Sequence, residues 1–131
     1  MKRVVAALII RQGRILICQR AEGQAMPLKW EFPGGKIEIG EEPRDALRRE
    51  LDEELGIEAI IGDQVANLAH RYAEGGDVDL SFFLVHHWKG EIENRIFHSL
   101  RWVHPEELPH YDFLEADRKL IRDIAEGKLC W

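Results

Sequence analysis

The chain has 131 residues, a length that suits one domain (1–131) with a core of its own and no need of disulfides or a structural metal. Its hydrophobic fraction of 45% and charged fraction of 32% read as globular and exclude a disordered or fibrous chain. The net charge of −6 excludes a generic binder of nucleic acid polymers, because contacts to phosphate need Lys and Arg. Two cysteines, Cys18 and Cys130, make no disulfide framework, so a reducing cytoplasm is the expected setting. No membrane segment is expected: the first apolar run meets Arg11 too soon to span a bilayer, and no small-residue cleavage site follows it.

Residues 4–11, VVAALIIR, are apolar and β-branched and predict a buried strand. Gln12 and Gly13 signal a turn, and residues 14–20 read as the returning strand of a hairpin. A polar loop follows over 21–28. The stretch WEFPGGK, residues 30–36, is expected to lack regular structure because Pro33, Gly34 and Gly35 interrupt it. Pro43 opens a helix that should run to Leu55 and stop at Gly56. Strands are predicted over 57–61, 65–72, 77–88 and 100–103, with a turn at 73–77. On the strand at 77–88, Phe82 and Phe83 should face opposite layers, as should His86 and His87. A second helix, 114–126, closes the chain with Leu120, Ile121, Ile124 and Ala125 on one side. Strands, helix, strands, helix predict an α+β sandwich with a mixed sheet.

The charge is concentrated. Residues 38–58 hold nine acids and three arginines, and the remainder of the chain carries 15 charges of each sign. On a helical wheel Leu47, Leu51 and Leu55 form the apolar stripe. Glu50, Glu53 and Glu54, at i, i+3 and i+4, share a face that borders it. Two like charges ~4 Å apart near a protein surface repel by about 4 kcal/mol at an effective dielectric of ~20. Arg48 and Arg49 point to other sectors of the wheel, so a hard divalent cation, Mg²⁺ above all, is the simpler offset. A solvated acidic face is the ordinary reading of a charge run. It fits poorly here, next to the leucine stripe and after a Pro-Gly-Gly loop that admits a ligand close to the backbone.

Gly35, Glu41, Arg49, Glu50, Leu51, Glu53, Glu54, Gly56 and Ile57 fill the pattern G-x5-E-x7-R-E-U-x-E-E-x-G-U, where U is a bulky aliphatic, with every spacing intact. That pattern resembles the signature of the Nudix hydrolases, and WEFPGGKIE is similar to their MutT-like branch. The resemblance implies an α/β/α sandwich with a loop-helix-loop catalytic element. It also implies Mg²⁺-dependent hydrolysis, with Mn²⁺ as a substitute, of a nucleoside diphosphate joined to another group. Carried over, it makes Glu50, Glu53 and Glu54 metal ligands and Glu41 a further ligand or a support for one. Arg49 becomes the residue that orients them by an ion pair, and Glu53 or Glu50 the base. Gly34, Gly35 and Lys36 become the turn that brings backbone groups and an ammonium near metal and phosphates. In MutT-like enzymes a further acid often lies a few residues before the tryptophan matching Trp102. Here the segment NRIFHSLRW has none, which leaves Glu91 or Glu93 to reach the site.

The same resemblance places Arg20 against phosphate or sugar, Phe32 near the base pocket and Asp117 on the nucleobase. Plain alternatives stand beside each: a charge at a strand end, core packing, and a cap for the last helix. The cysteines and the six histidines show no zinc spacing. A nucleoside triphosphate is therefore the expected partner, cleaved to monophosphate and pyrophosphate, with 8-oxo-dGTP or a CTP/dCTP-type nucleotide as substrate. ADP-ribose or a dinucleoside polyphosphate is the second reading. A binding-only nucleotide sensor is the third, and it predicts the loss of glutamates that are all present. The protein is expected as a monomer or homodimer.

Overall fold

A computed structural model describes residues 1–73 and 76–129. β1 (Lys2–Arg11) and β2 (Arg14–Gln19) form the expected hairpin, turned by Gln12 and Gly13 at φ 53° and 76°. In β1 every residue from Val5 to Ile10 is buried, and the alternation shows why. Ala6, Leu8 and Ile10 face one core, while Val5, Ala7 and Ile9 face another. A strand covered on both faces has no solvent side, so its sequence is continuously apolar.

The stretch at 30–36 departs from expectation. It contains β3 (Trp30–Glu31) and β4 (Gly34–Lys36), which pair with β2 and β1. Long-range pairing overrides the local Pro-Gly-Gly signal, and the Pro33 carbonyl accepts the Ala7 amide at 2.8 Å. Gly34 is required here because a Cβ would collide with the Val5 carbonyl.

α1 (Pro43–Leu55) has the predicted bounds: Pro43 sits in its first turn, and Gly56 ends it in the left-handed region at φ 69°. Leu47, Leu51 and Leu55 are fully buried, each stabilising the fold by about 2 kcal/mol. β5 (Glu58–Ile60) and β6 (Gln64–Tyr72) follow. The single strand expected over 77–88 is two: β7 (Gly76–Val85) and β8 (His87–Lys89). The break at His86 comes where β1 stops pairing with β7, at Ile9 and Val85, and β8 then joins β5 in a separate ribbon. The turn expected at 73–77 falls partly on residues 74 and 75, which, like Cys130, lie outside the described residues.

β9 (Ser99–Val103) pairs with β2. The second helix is shorter than expected. A 3-10 turn, Glu115–Asp117, precedes α2 (Arg118–Ala125), whose Leu120, Ile121 and Ile124 are buried. The main sheet runs β3-β2-β1-β7-β6, with β4 also on β1 and β9 on β2. The β1–β7 pair is parallel and its other ladders antiparallel, so the sheet is mixed. α1 packs on the face holding Phe83 and α2 on the face holding Phe82, giving helix, sheet, helix. Among the described residues no helix is long and apolar enough to cross a membrane.

Candidate active site

A cavity of about 330 Å³ opens on the α2 face of the sheet and extends to the α1 side. Its floor follows from strand register. Val4 lies opposite Lys36 and Ala6 opposite Gly34 across β1–β4, while Val4 and Leu80 pair across β1–β7. Cross-strand partners and i+2 neighbours share a face, so Lys2, Val4, Lys36, Val78 and Leu80 all look into the same space.

On the α1 side the three glutamates differ in exposure. Glu54 is buried, the Glu50 side chain keeps 16% of its surface, and Glu53 keeps 59%. The expectation that all three border the core holds for the first two. Glu54 accepts the Gly34 amide at 3.2 Å. Its carboxyl is held well above the usual range, first by burial and then by the charges of Glu50 and Glu31.

The wheel misplaced Arg49. Its guanidinium donates to both Glu41 oxygens at 2.9 Å, to Glu50 Oε1 at 2.9 Å and to the Lys36 carbonyl at 3.0 Å, and lies 3.6 Å from Glu53. A long, forked side chain reaches carboxylates on either side of its own sector. Arg48 instead pairs with Asp45. Glu41 also accepts the Glu38 amide at 3.0 Å, and its carboxylate is lowered to about 2, chiefly by Arg49. Both Glu41 oxygens are thus engaged by the chain itself.

Gly35 lies against Glu50: a Cβ there would sit 2.6 Å from each carboxylate oxygen. Glycine thus leaves a cradle in which a carboxylate meets the backbone. Together with Glu53 and Glu54 this is an all-oxygen donor set of the kind hard divalent cations take. Among the described residues no three acidic, histidine or cysteine side chains converge on one point. Arg49 bonds Glu50 and lies near Glu53, while Glu54 accepts the Gly34 amide and has the Glu50 carboxyl as its neighbour.

The loop before β9 brings neither Glu91 nor Glu93 to the cavity. Glu93 pairs with Arg95 at the end of α1, where its amide bonds the Leu55 carbonyl, and Ile96 lines the cavity instead.

The other wall holds Asp117, 4% exposed and pushed up to about 8, first by burial and then by Glu31. Asp117 occupies the N-cap position of α2, yet its side chain makes no capping bond, so the cap reading does not account for it. Phe32 is 4% exposed and packs on Phe82 and Phe113 with centroids 6.1 and 5.4 Å away, while also lining the cavity. Arg20 lines it too, but its guanidinium is tied to Glu31 at 3.1 Å and to the Ala25 carbonyl at 2.8 Å. Glu31 is the residue that sequence reasoning missed: a carboxyl raised by burial, partly countered by Arg20. Its signal was a charge between two aromatics, Trp30 and Phe32, in a stretch taken as irregular.

The NUDIX domain model matches residues 1–124. The chain is 41% identical over 121 residues to the CTP pyrophosphohydrolase of Escherichia coli (strain K12), spanning 92% of this chain and 89% of that protein. It is 40% identical over 122 residues to the 8-oxo-dGTP diphosphatase of Haemophilus influenzae, again spanning 92% and 89%. The E. coli ORF135 protein, solved in solution, superposes with a TM-score of 0.85 at 39% identity over 98% of this chain and 91% of that one. The MutT Nudix hydrolase of Burkholderia pseudomallei gives 0.83 at 28% identity over 92% and 95%. With its glutamate-bearing helix, glycine turn and sheet accounted for, the chain belongs to the Nudix hydrolase family, among its MutT-like members.

Proposed function

We propose that residues 1–131 form one Nudix unit acting as a Mg²⁺-dependent nucleoside triphosphate pyrophosphohydrolase. It releases a nucleoside monophosphate and pyrophosphate from 8-oxo-dGTP or a CTP/dCTP-type nucleotide. The observation that carries this reading is that one cavity is bounded by Glu54 and the 34–36 turn on one side and by Asp117 and Glu31 on the other. A triphosphate and a base therefore each have a wall.

Nudix hydrolases as a family use divalent metal ions; Glu50, Glu53, Glu54 and the Gly35 backbone are the groups that would hold one here. Mg²⁺, when bound, neutralises pyrophosphate charge and acidifies the attacking water. Arg49 keeps Glu50 and Glu41 in register through charge-assisted bonds. Glu53 is the more exposed of the candidate bases, and its nearest cation is 3.6 Å away. Glu50 is committed to Arg49 at 2.9 Å. Glu53 is accordingly the base that takes the proton from water. Lys2 and Lys36, on one face of the floor, supply cations for the phosphates. Asp117 and Glu31 present carboxyl oxygens that accept from an exocyclic amino group, as cytosine and guanine bear and uracil and thymine lack.

Incubation with Mg²⁺ and a nucleotide panel tests this. Pyrophosphate, not orthophosphate, should appear, and kcat/KM should be highest for a cytosine or 8-oxoguanine nucleotide and lower for UTP and dTTP. Orthophosphate as the product rejects the proposed bond, and a uracil preference rejects the base contact.

A further inference from the structure

β6 carries a buried nitrogen for which the described residues offer no hydrogen-bond partner, Nε2 of His70. It faces Glu115 Oε2 at 3.8 Å. The ring packs edge-on against Tyr72, with centroids 4.5 Å apart and planes at 70°. Residues 70 and 72 stand on the same face of β6, the face toward the turn that carries Asp117. The Tyr72 phenol lies in the cavity wall with Asp117, and its proton is held more tightly first by burial and then by the Asp117 charge. The Ala116 backbone lies near enough to the phenol to work against that shift. Glu115, Ala116 and Asp117 are the whole of the 3-10 turn, so these two side chains stand beside it, His70 facing Glu115 and Tyr72 sharing the cavity wall with Asp117.

That turn has little to hold it by itself. It lacks a side-chain cap, and its own backbone ties are the Asp117 amide on the Leu114 carbonyl at 3.0 Å and the Arg118 amide on the Glu115 carbonyl. Three-residue 3-10 segments have poor hydrogen-bond geometry. A carboxyl buried at the end of such a segment keeps its aim only if neighbouring side chains fix the backbone under it.

We infer that His70 and Tyr72 are positioning residues that grip the 115–117 turn, keep the Asp117 carboxyl aimed into the cavity, and so set the preference among nucleobases. This deepens the proposed function and rests on Asp117 meeting the base. His70 and Tyr72 act through Asp117 and need not touch the reacting phosphates.

The test is equilibrium binding of non-hydrolysable α,β-methylene CTP, dGTP and UTP to the full chain. The readout is the ratio of affinities between the amino-bearing bases and uracil. His70→Ala and the more conservative Tyr72→Phe should lower that ratio about 3- to 10-fold, the discrimination one hydrogen bond carries. His70→Gln, which keeps a donor toward Glu115, should restore it. If both variants weaken all three analogues by one factor and leave the ratio unmoved, their role is merely structural and the inference falls. Asp117→Ala separates the two claims. A collapsed ratio in Asp117→Ala with intact ratios in the β6 variants sinks the grip alone. An intact ratio in Asp117→Ala sinks the base contact and the grip with it, as does a wild type that binds no analogue or does not discriminate.

Discussion

Glu41 and Asp117 carry the same functional group on two sides of one site and behave in opposite ways. Glu41 sits under a guanidinium and is lowered to about 2. Asp117 shares the wall with Phe32, Leu114 and Tyr72 and is raised to about 8, first by burial. The Glu41 carboxylate is offset by a fixed cation, Arg49, so it stays charged at the rim. The wall carboxyl has none, so it keeps its proton when the cavity is empty. The first arrangement suits groups that must hold a cation or take a proton. The second suits a group that reads hydrogen-bond donors and acceptors on a base.

Three variants break or sharpen this contrast. The largest effect is expected for Glu53→Gln, which removes the proposed base and a donor oxygen. Pyrophosphate release should fall about a thousandfold while the melting temperature holds. Near-normal turnover would remove Glu53 from the chemistry. Gly35→Ala comes next: its Cβ would displace the Glu50 carboxylate while leaving the charge count unchanged. Turnover should fall about a hundredfold, as misplacement on the order of 1 Å costs that much. Unaltered turnover would mean that Glu50 works equally well elsewhere.

The smallest effect is on stability. The folded Asp117 value of about 8 lies above the ordinary 3.8, so its contribution is whole below about 3.8 and is lost as pH rises through about 8. Asp117→Asn has no charge to bury. In thermal melts its stability relative to wild type should rise across that window, and a flat or falling difference would show that the carboxyl is solvated.

The bounds of α1 were readable because Pro43 and Gly56 act within one turn, and the apolar run of β1 because burial on both faces leaves no alternation to interpret. The glutamates were readable because a helix fixes i, i+3 and i+4 neighbours without help from the rest of the chain. Arg49 was misjudged because a wheel assigns sectors to Cα positions, whereas its guanidinium ends several bonds away, on Glu41 and Glu50. β3 and β4 were missed because their partners are far off in sequence. Glu31 went with them, since only the fold brings it beside Arg20 and within reach of Asp117. The 3-10 turn was absorbed into the last helix because the apolar spacing continues through it while the backbone does not.

Gly34 hangs from the middle of β1 on the pair Ala6–Gly34 and holds Glu54 through its amide. Trp30, on β3, holds the segment leading to Asp117 through the Leu114 amide. Both walls are thus tied to strands of one sheet, β1 and β3, with β2 between them. Under the proposed function, the distance between those walls sets a span from base to anhydride. On that reading, compounds with a longer or shorter reach between those two groups should bind less well than a nucleoside triphosphate.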